Sequence, residues 1–258
     1  MPVSLTPDAS NGDANAAEFM TRLKPVWLNT YWVENALGLC EGIWAHGDDL
    51  QQHQHFFGLV HNFTISAAIL GICKLFDTGN RRYDKDTIPD LFDYMKKHLT
   101  AAYVSRLDRT TLIDLGVFDV AATRIVSGFR KSSTFSNSRD DLIENIAPLI
   151  PTCDTNSTLE QLFTVSAKFI AHQERICLSV REQCERLPST DEMEKINNWA
   201  RIFCQFTCCI MTNETCLPHT VSARMAAMNV AAKFLGKNFD DPRSPDYSQR
   251  EAFYKRLP

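Results

Sequence analysis

Three side chains in A-K-F-I-A-H-Q-E-R, residues 167–175, are spaced to act together. Lys168, His172 and Arg175 are separated by four and three residues. On a helix they fall on one line with Ser179, within about 60° of one another. Positive neighbours disfavour the imidazolium and hold an imidazole neutral, ready to accept a proton. A neutral imidazole between two cations suits proton transfer beside a phosphate. The same spacing also fits a histidine that completes a packing edge while the cations extend to water. Leu162, Val165, Phe169, Ile176 and Val180 form an apolar stripe beside this line. The line therefore borders a core or a subunit interface.

Other groups carry weaker chemistry. His46, Asp48, Asp49, His53 and His55 are close in sequence, and His53, Phe57 and His61 share a helical face. These could ligate a metal, or they could be a polar helix start. Cys204, Cys208, Cys209, Cys216 and His219 raise a zinc reading. There is no paired C-x-x-C among them, and Cys209 points away from Cys204 and Cys208, so buried reduced thiols fit better. Lys96, Lys97 and His98, and the run Gly128-Phe129-Arg130-Lys131, could meet phosphates or simply form a solvated face. No phosphate-binding glycine loop, dinucleotide fingerprint or nucleophile elbow is present.

The elements that position these groups read as helices. The chain has 258 residues, 44% of them hydrophobic and 22% charged, enough for one large globular domain. Net charge is −4, which excludes a globally basic nucleic-acid binder. Charge is uneven, however. Eight basic and three acidic residues lie between Lys96 and Arg139, and eleven acidic and five basic ones between Asp140 and Trp199. This permits a basic face, or pairing between the two segments. The start lacks an apolar secretory core, and no run of about 18 apolar residues is present, so neither export nor membrane spanning is expected. Nine cysteines, an odd number, then fit a reducing cytoplasm.

Helical periodicity dominates, with no alternating run that would make a strand. Residues 1–16 read as a flexible tail, 17–236 as the bundle and 237–258 as a charged tail. Helices are expected from Ala17 or Pro25 to Ala45, from Asp48 to Phe76, from Thr87 through Leu99, and from Leu112 to Phe129. A polar connection and a short helix to Pro148 follow. Thr158 with Gln161 and Ser189 with Glu192 fit capping boxes for helices 159–187 and 190–213. A last helix ends at Gly236, a C-cap residue. The fold class is all-α, an antiparallel bundle of long helices.

L-F-T-V-S-A-K-F-I-A-H-Q-E-R resembles the signature helix of the HEPN superfamily, most closely its abortive-infection (AbiU-type) branch. Lys168, Ala171 and His172 match that motif. H-N-F-T-I-S-A-A-I-L-G-I-C-K-L-F-D, residues 61–77, resembles the branch's upstream helix ending in aspartate. The capped stretch L-P-S-T-D-E-M-E-K-I-N-N-W-A is similar to its following helix, so the likeness spans about residues 20–215. It implies an all-α, commonly dimeric protein of phage defence or a toxin–antitoxin pair, acting on RNA without a metal or cofactor. His172 would assist the ribose 2′-hydroxyl, and Lys168 and Arg175 would contact phosphate. RNA, a second copy of the chain and an antitoxin protein are the implied partners. One departure stands out. Ser166 occupies the place of the family's arginine, and on the wheel it lies roughly 120° from His172. Serine does not clamp a phosphate as a guanidinium does. Either Lys168 and Arg175 supply the charge, or the bundle is catalytically inactive and serves as a dimerisation or partner-binding module.

Overall fold

The helical period of the sequence is realised throughout the described residues, 14–78, 86–100, 139–167, 187–212, 223–239 and 242–254 of a computed structural model. Eight α-helices and no strand occur among them. They are α1 (Ala14–Trp44), α2 (Gln54–Phe76), α3 (Ile88–His98), α4 (Arg139–Ile146), α5 (Ser157–Val165), α6 (Thr190–Thr212), α7 (Ala223–Phe234) and α8 (Arg250–Tyr254). The all-α bundle is thus the observed architecture. The helix expected at Leu112–Phe129 lies outside the described residues.

Local chemistry sets most of the ends. At α3, Thr87 caps the helix by accepting from the Asp90 amide at 3.3 Å, with Pro89 in the first turn. At α6 the expected capping box is present. Ser189 Oγ accepts from the Glu192 amide at 3.3 Å, and the Glu192 carboxylate accepts from the Ser189 amide at 2.9 Å. At α7, Gly236 takes φ +68°. The amides of Gly236 and Lys237 then donate to the carbonyls of Lys233 and Ala232, which closes the helix end. The start of α5 differs from expectation. Asn156, not Thr158, is the cap, and its side chain accepts from the Leu159 amide at 3.0 Å. An asparagine is at least as good an acceptor there, and Thr158 falls inside the first turn.

The long helix α1 organises the bundle, packing against α2, α3, α6 and α7. It runs unbroken past Pro25, although the sequence allowed it to start there. A proline inside a helix removes one backbone bond and costs about 3 kcal/mol. Burial on both sides of it offsets that cost: Phe19, Met20 and Leu23 precede it, and Val26, Trp27 and Thr30 follow. Pro25 itself faces outward. The principal core joins these residues to Ile69 and Ile72 of α2, Leu91 and Met95 of α3, Leu159 and Leu162 of α5, and Phe203 and Cys204 of α6. Beyond α7, Phe239 packs on Met228 and Ala232, so the C-terminal stretch returns to the bundle.

Helices α1 and α2 approach closely at Gly71. The Asn29 amide donates to the Gly71 carbonyl at 2.7 Å. A methyl group at Gly71 would collide with Cγ2 of Val33. Val33 is β-branched and held in one rotamer, so it cannot swing aside cheaply. Gly71→Ala should therefore destabilise the fold by about 1–3 kcal/mol. Val33→Ala should cost less in the Gly71→Ala background than in the parent. Chemical denaturation of the four proteins in that cycle measures the coupling, and additive effects would place the strain elsewhere.

Candidate functional site

The segment expected to carry the chemistry is described only as far as residue 167. Lys168, His172 and Arg175 lie outside the described residues, as do Gly128 to Lys131, Cys216 and His219. The position that departs from the motif, Ser166, lies inside them. There the regular turn of α5 opens into π geometry at residues 166–167. Such widened turns are rare and recur at functional sites. The Ser166 amide donates to the carbonyls of both Leu162 and Phe163. Leu159, Leu162 and Val165 are buried as the apolar stripe required.

Ser166 is half-buried, and its hydroxyl lies against the Cys73 thiol of α2. Burial pushes that thiol up to about 12, and the Ser166 hydroxyl lowers it only in part. The start of the motif helix and the end of the upstream helix, four residues before Asp77, are therefore packed together. At pH 7 this contact is neutral on both sides.

The remaining cysteines and histidines fall into separate settings. Cys40, Cys204, Cys208 and Cys209 are buried in the bundle. Burial raises the Cys40 thiol to about 11 and raises the Cys204 thiol as well, so both are neutral thiols at pH 7. His46 is buried with Nδ1 3.2 Å from the Asp49 carboxylate. His53 meets Phe57 and Phe234 edge-on, whereas His61 lies against Trp44. The shared face of His53 and His61 is thus taken up by different aromatic neighbours. In the basic run, Lys96 pairs with Asp93 at 2.5 Å and covers the Phe92 ring. His98 stacks on Tyr94, with ring centres 4.2 Å apart. Those groups form a paired, solvated face.

One cluster was missed by sequence reasoning. Glu41, buried on α1, meets Asp191 and Glu194 at the start of α6, with carboxylate oxygens within 4.8 Å of one another. Among the described residues they are the set that could hold a hard cation through oxygen, or share a proton. Asp191 and Glu192 lie in the first turn of α6, where the helix dipole favours acidic side chains. Nothing in the sequence placed Glu41 beside them. Burial, then Asp191 and Glu34, hold the Glu194 carboxyl above the usual range, and Arg201 partly offsets this. Arg201 reaches Glu34 at 3.9 Å.

Comparison with protein-family models, curated proteins and solved structures finds no match.

A raised carboxyl favours the protonated form in the folded state. The ionised form therefore costs stability at neutral pH; that cost shrinks as pH falls through the folded-state value and is gone below the unfolded-state value. Glu194→Gln should raise the midpoint of thermal unfolding at pH 7, by the equivalent of no more than about 1 kcal/mol. The gain should shrink toward pH 4. A gain that is independent of pH would show that packing, not charge, limits this site.

Proposed function

We propose that this chain is a HEPN-like cytoplasmic protein of phage defence or of a toxin–antitoxin pair, acting on RNA without a metal ion. The reading assigns proton transfer to His172 and phosphate contact to Lys168 and Arg175. One observation carries it. The two helices that bear the resemblance are packed together, with Ser166 of one against Cys73 of the other, and the turn at Ser166 is a π turn. In the proposed reaction the neutral imidazole takes the proton of a ribose 2′-hydroxyl as that oxygen attacks the adjacent phosphorus; the phosphorus–5′-oxygen bond breaks, leaving a 2′,3′-cyclic phosphate and a 5′-hydroxyl that receives its proton from the imidazolium or from water. The two cations oppose the charge that develops on the phosphate oxygens.

A second reading is favoured by the same contact. Ser166 holds a neutral hydrogen bond where the family places a guanidinium, so the bundle would serve as a binding module without cleavage. The two readings separate in one experiment on the full chain with end-labelled RNA in EDTA. Under the first, cleavage persists in EDTA and falls by about 10²-fold or more in His172→Ala. Equal cleavage by parent and His172→Ala would overturn the assignment. Binding without cleavage, or neither, would favour the module.

A further inference from the structure

Helix α2 carries no Asp, Glu, Lys or Arg between Gln54 and Cys73. Its inner face is buried through Phe57, Thr64, Ala68, Ile72 and Leu75. Its outer face is apolar too. Phe56, Leu59, Phe63, Ala67 and Leu70 are all exposed, Phe63 to 72%. At about 100° per residue these five fall within about 80° of one another, so they form one straight stripe. The stripe is flanked by further exposed apolar side chains. Phe234 of α7 stacks on Phe56, with ring centres 5.9 Å apart. Leu28 and Trp32 of α1 are exposed beside Asn29 and Val33, which meet Gly71.

The spacing of the stripe is symmetric about Phe63. Phe56 and Leu70 lie seven residues to either side of it, and Leu59 and Ala67 four. Two copies of α2 laid antiparallel across a two-fold axis at Phe63 would therefore set Phe56 against Leu70 and Leu59 against Ala67. Phe63 would meet its own counterpart. Large meets small beside the axis, and no charge is buried. Lys74, at the end of the stripe, would fall opposite uncharged Gln52. A closed two-fold contact requires such self-complementarity.

The area is also of the right order. At about 150–250 Å² for a whole large side chain, the exposed parts of the stripe give roughly 450 Å² per copy, already a sizeable apolar patch. With Trp32, Leu28 and Phe234 the two copies together approach the ~1,200 Å² at which specific interfaces begin. The helix spanning Gln51–Phe76 is also long and apolar enough to cross a membrane by length and composition, contrary to the sequence expectation. Packing of its inner face on α1 opposes a crossing, and the palindromic spacing favours a protein partner over lipid.

We infer that the α2 stripe is the interface between two copies of this chain, packed antiparallel about Phe63. The inference uses α1, α2 and α7 alone and does not depend on the RNA reading. Sedimentation velocity on the full chain tests it. The parent should sediment at twice the chain mass at micromolar concentration, and Phe63→Asp should weaken association by at least about tenfold. Leu59→Lys should weaken it as well, and adding Ala67→Glu should restore it, since each new lysine then faces a glutamate of the other copy. All of these side chains are exposed, so far-UV circular dichroism at about 20 °C should show the parent's helical content, while loss of association should lower the thermal midpoint only modestly. A monomeric parent overturns the proposal. So does a dimer indifferent to Phe63→Asp and Leu59→Lys. A dimer lost in Leu59→Lys but not regained with Ala67→Glu overturns the antiparallel register. A monomeric parent that floats with phosphatidylcholine vesicles, and ceases to float as Phe63→Asp, assigns the stripe to lipid.

Discussion

The close approach of α1 and α2 at Gly71 is the constraint on which the bundle rests. With no side chain on α2 at that level, Val33 sits against its backbone and Asn29 bonds the Gly71 carbonyl. Interiors are packed near crystal density, so a gap or a clash there would be transmitted along both helices. Once α2 is seated, α1 has its other faces left for α3, α6 and α7, which is why burial covers so much of its circumference. The same seating turns the outer stripe of α2 toward solvent. An outward apolar face there is thus a by-product of how the core is made.

Polar groups enter the α1–α6 contact at defined levels. The Asn197 amide donates to the Thr30 carbonyl at 3.0 Å, deep in the bundle. Nearer the start of α6, Glu41 meets Asp191 and Glu194. Buried polar contacts of this kind contribute less to net stability than to register, because only one alignment of the helices satisfies them. Sliding α6 along α1 would strand the Asn197 amide.

The candidate chemistry is built differently from the scaffold. Burial holds the Cys73 and Cys40 thiols neutral, well above their ordinary values, and among the described residues the carboxylates of Glu41, Asp191 and Glu194 converge. Neither would favour a phosphate. Under the proposed function, anion recognition would rest on Lys168 and Arg175, which lie outside the described residues. Within the described residues, α5 widens at 166–167, beside the Cys73 contact.

Much of the fold was legible in the sequence. Ser189 with Glu192, Thr87 with Pro89, and Gly236 marked helix ends because capping is satisfied within a few residues of chain. The stripe of Leu162 and Val165 was legible because helical period and burial coincide there. The start of α1 was not, since Pro25 is a local stop signal that only burial on both sides overrides. Choosing Asn156 over Thr158 needed the backbone of the preceding turn. For the candidate site, the sequence determined which residues share a helical line. That Glu41 lies among the α6 acids, that Ser166 meets Cys73, and that α2 keeps an apolar face outward were decided by tertiary structure alone. Each depends on which helix lies against which, and the helical period of one segment carries no information about its neighbour.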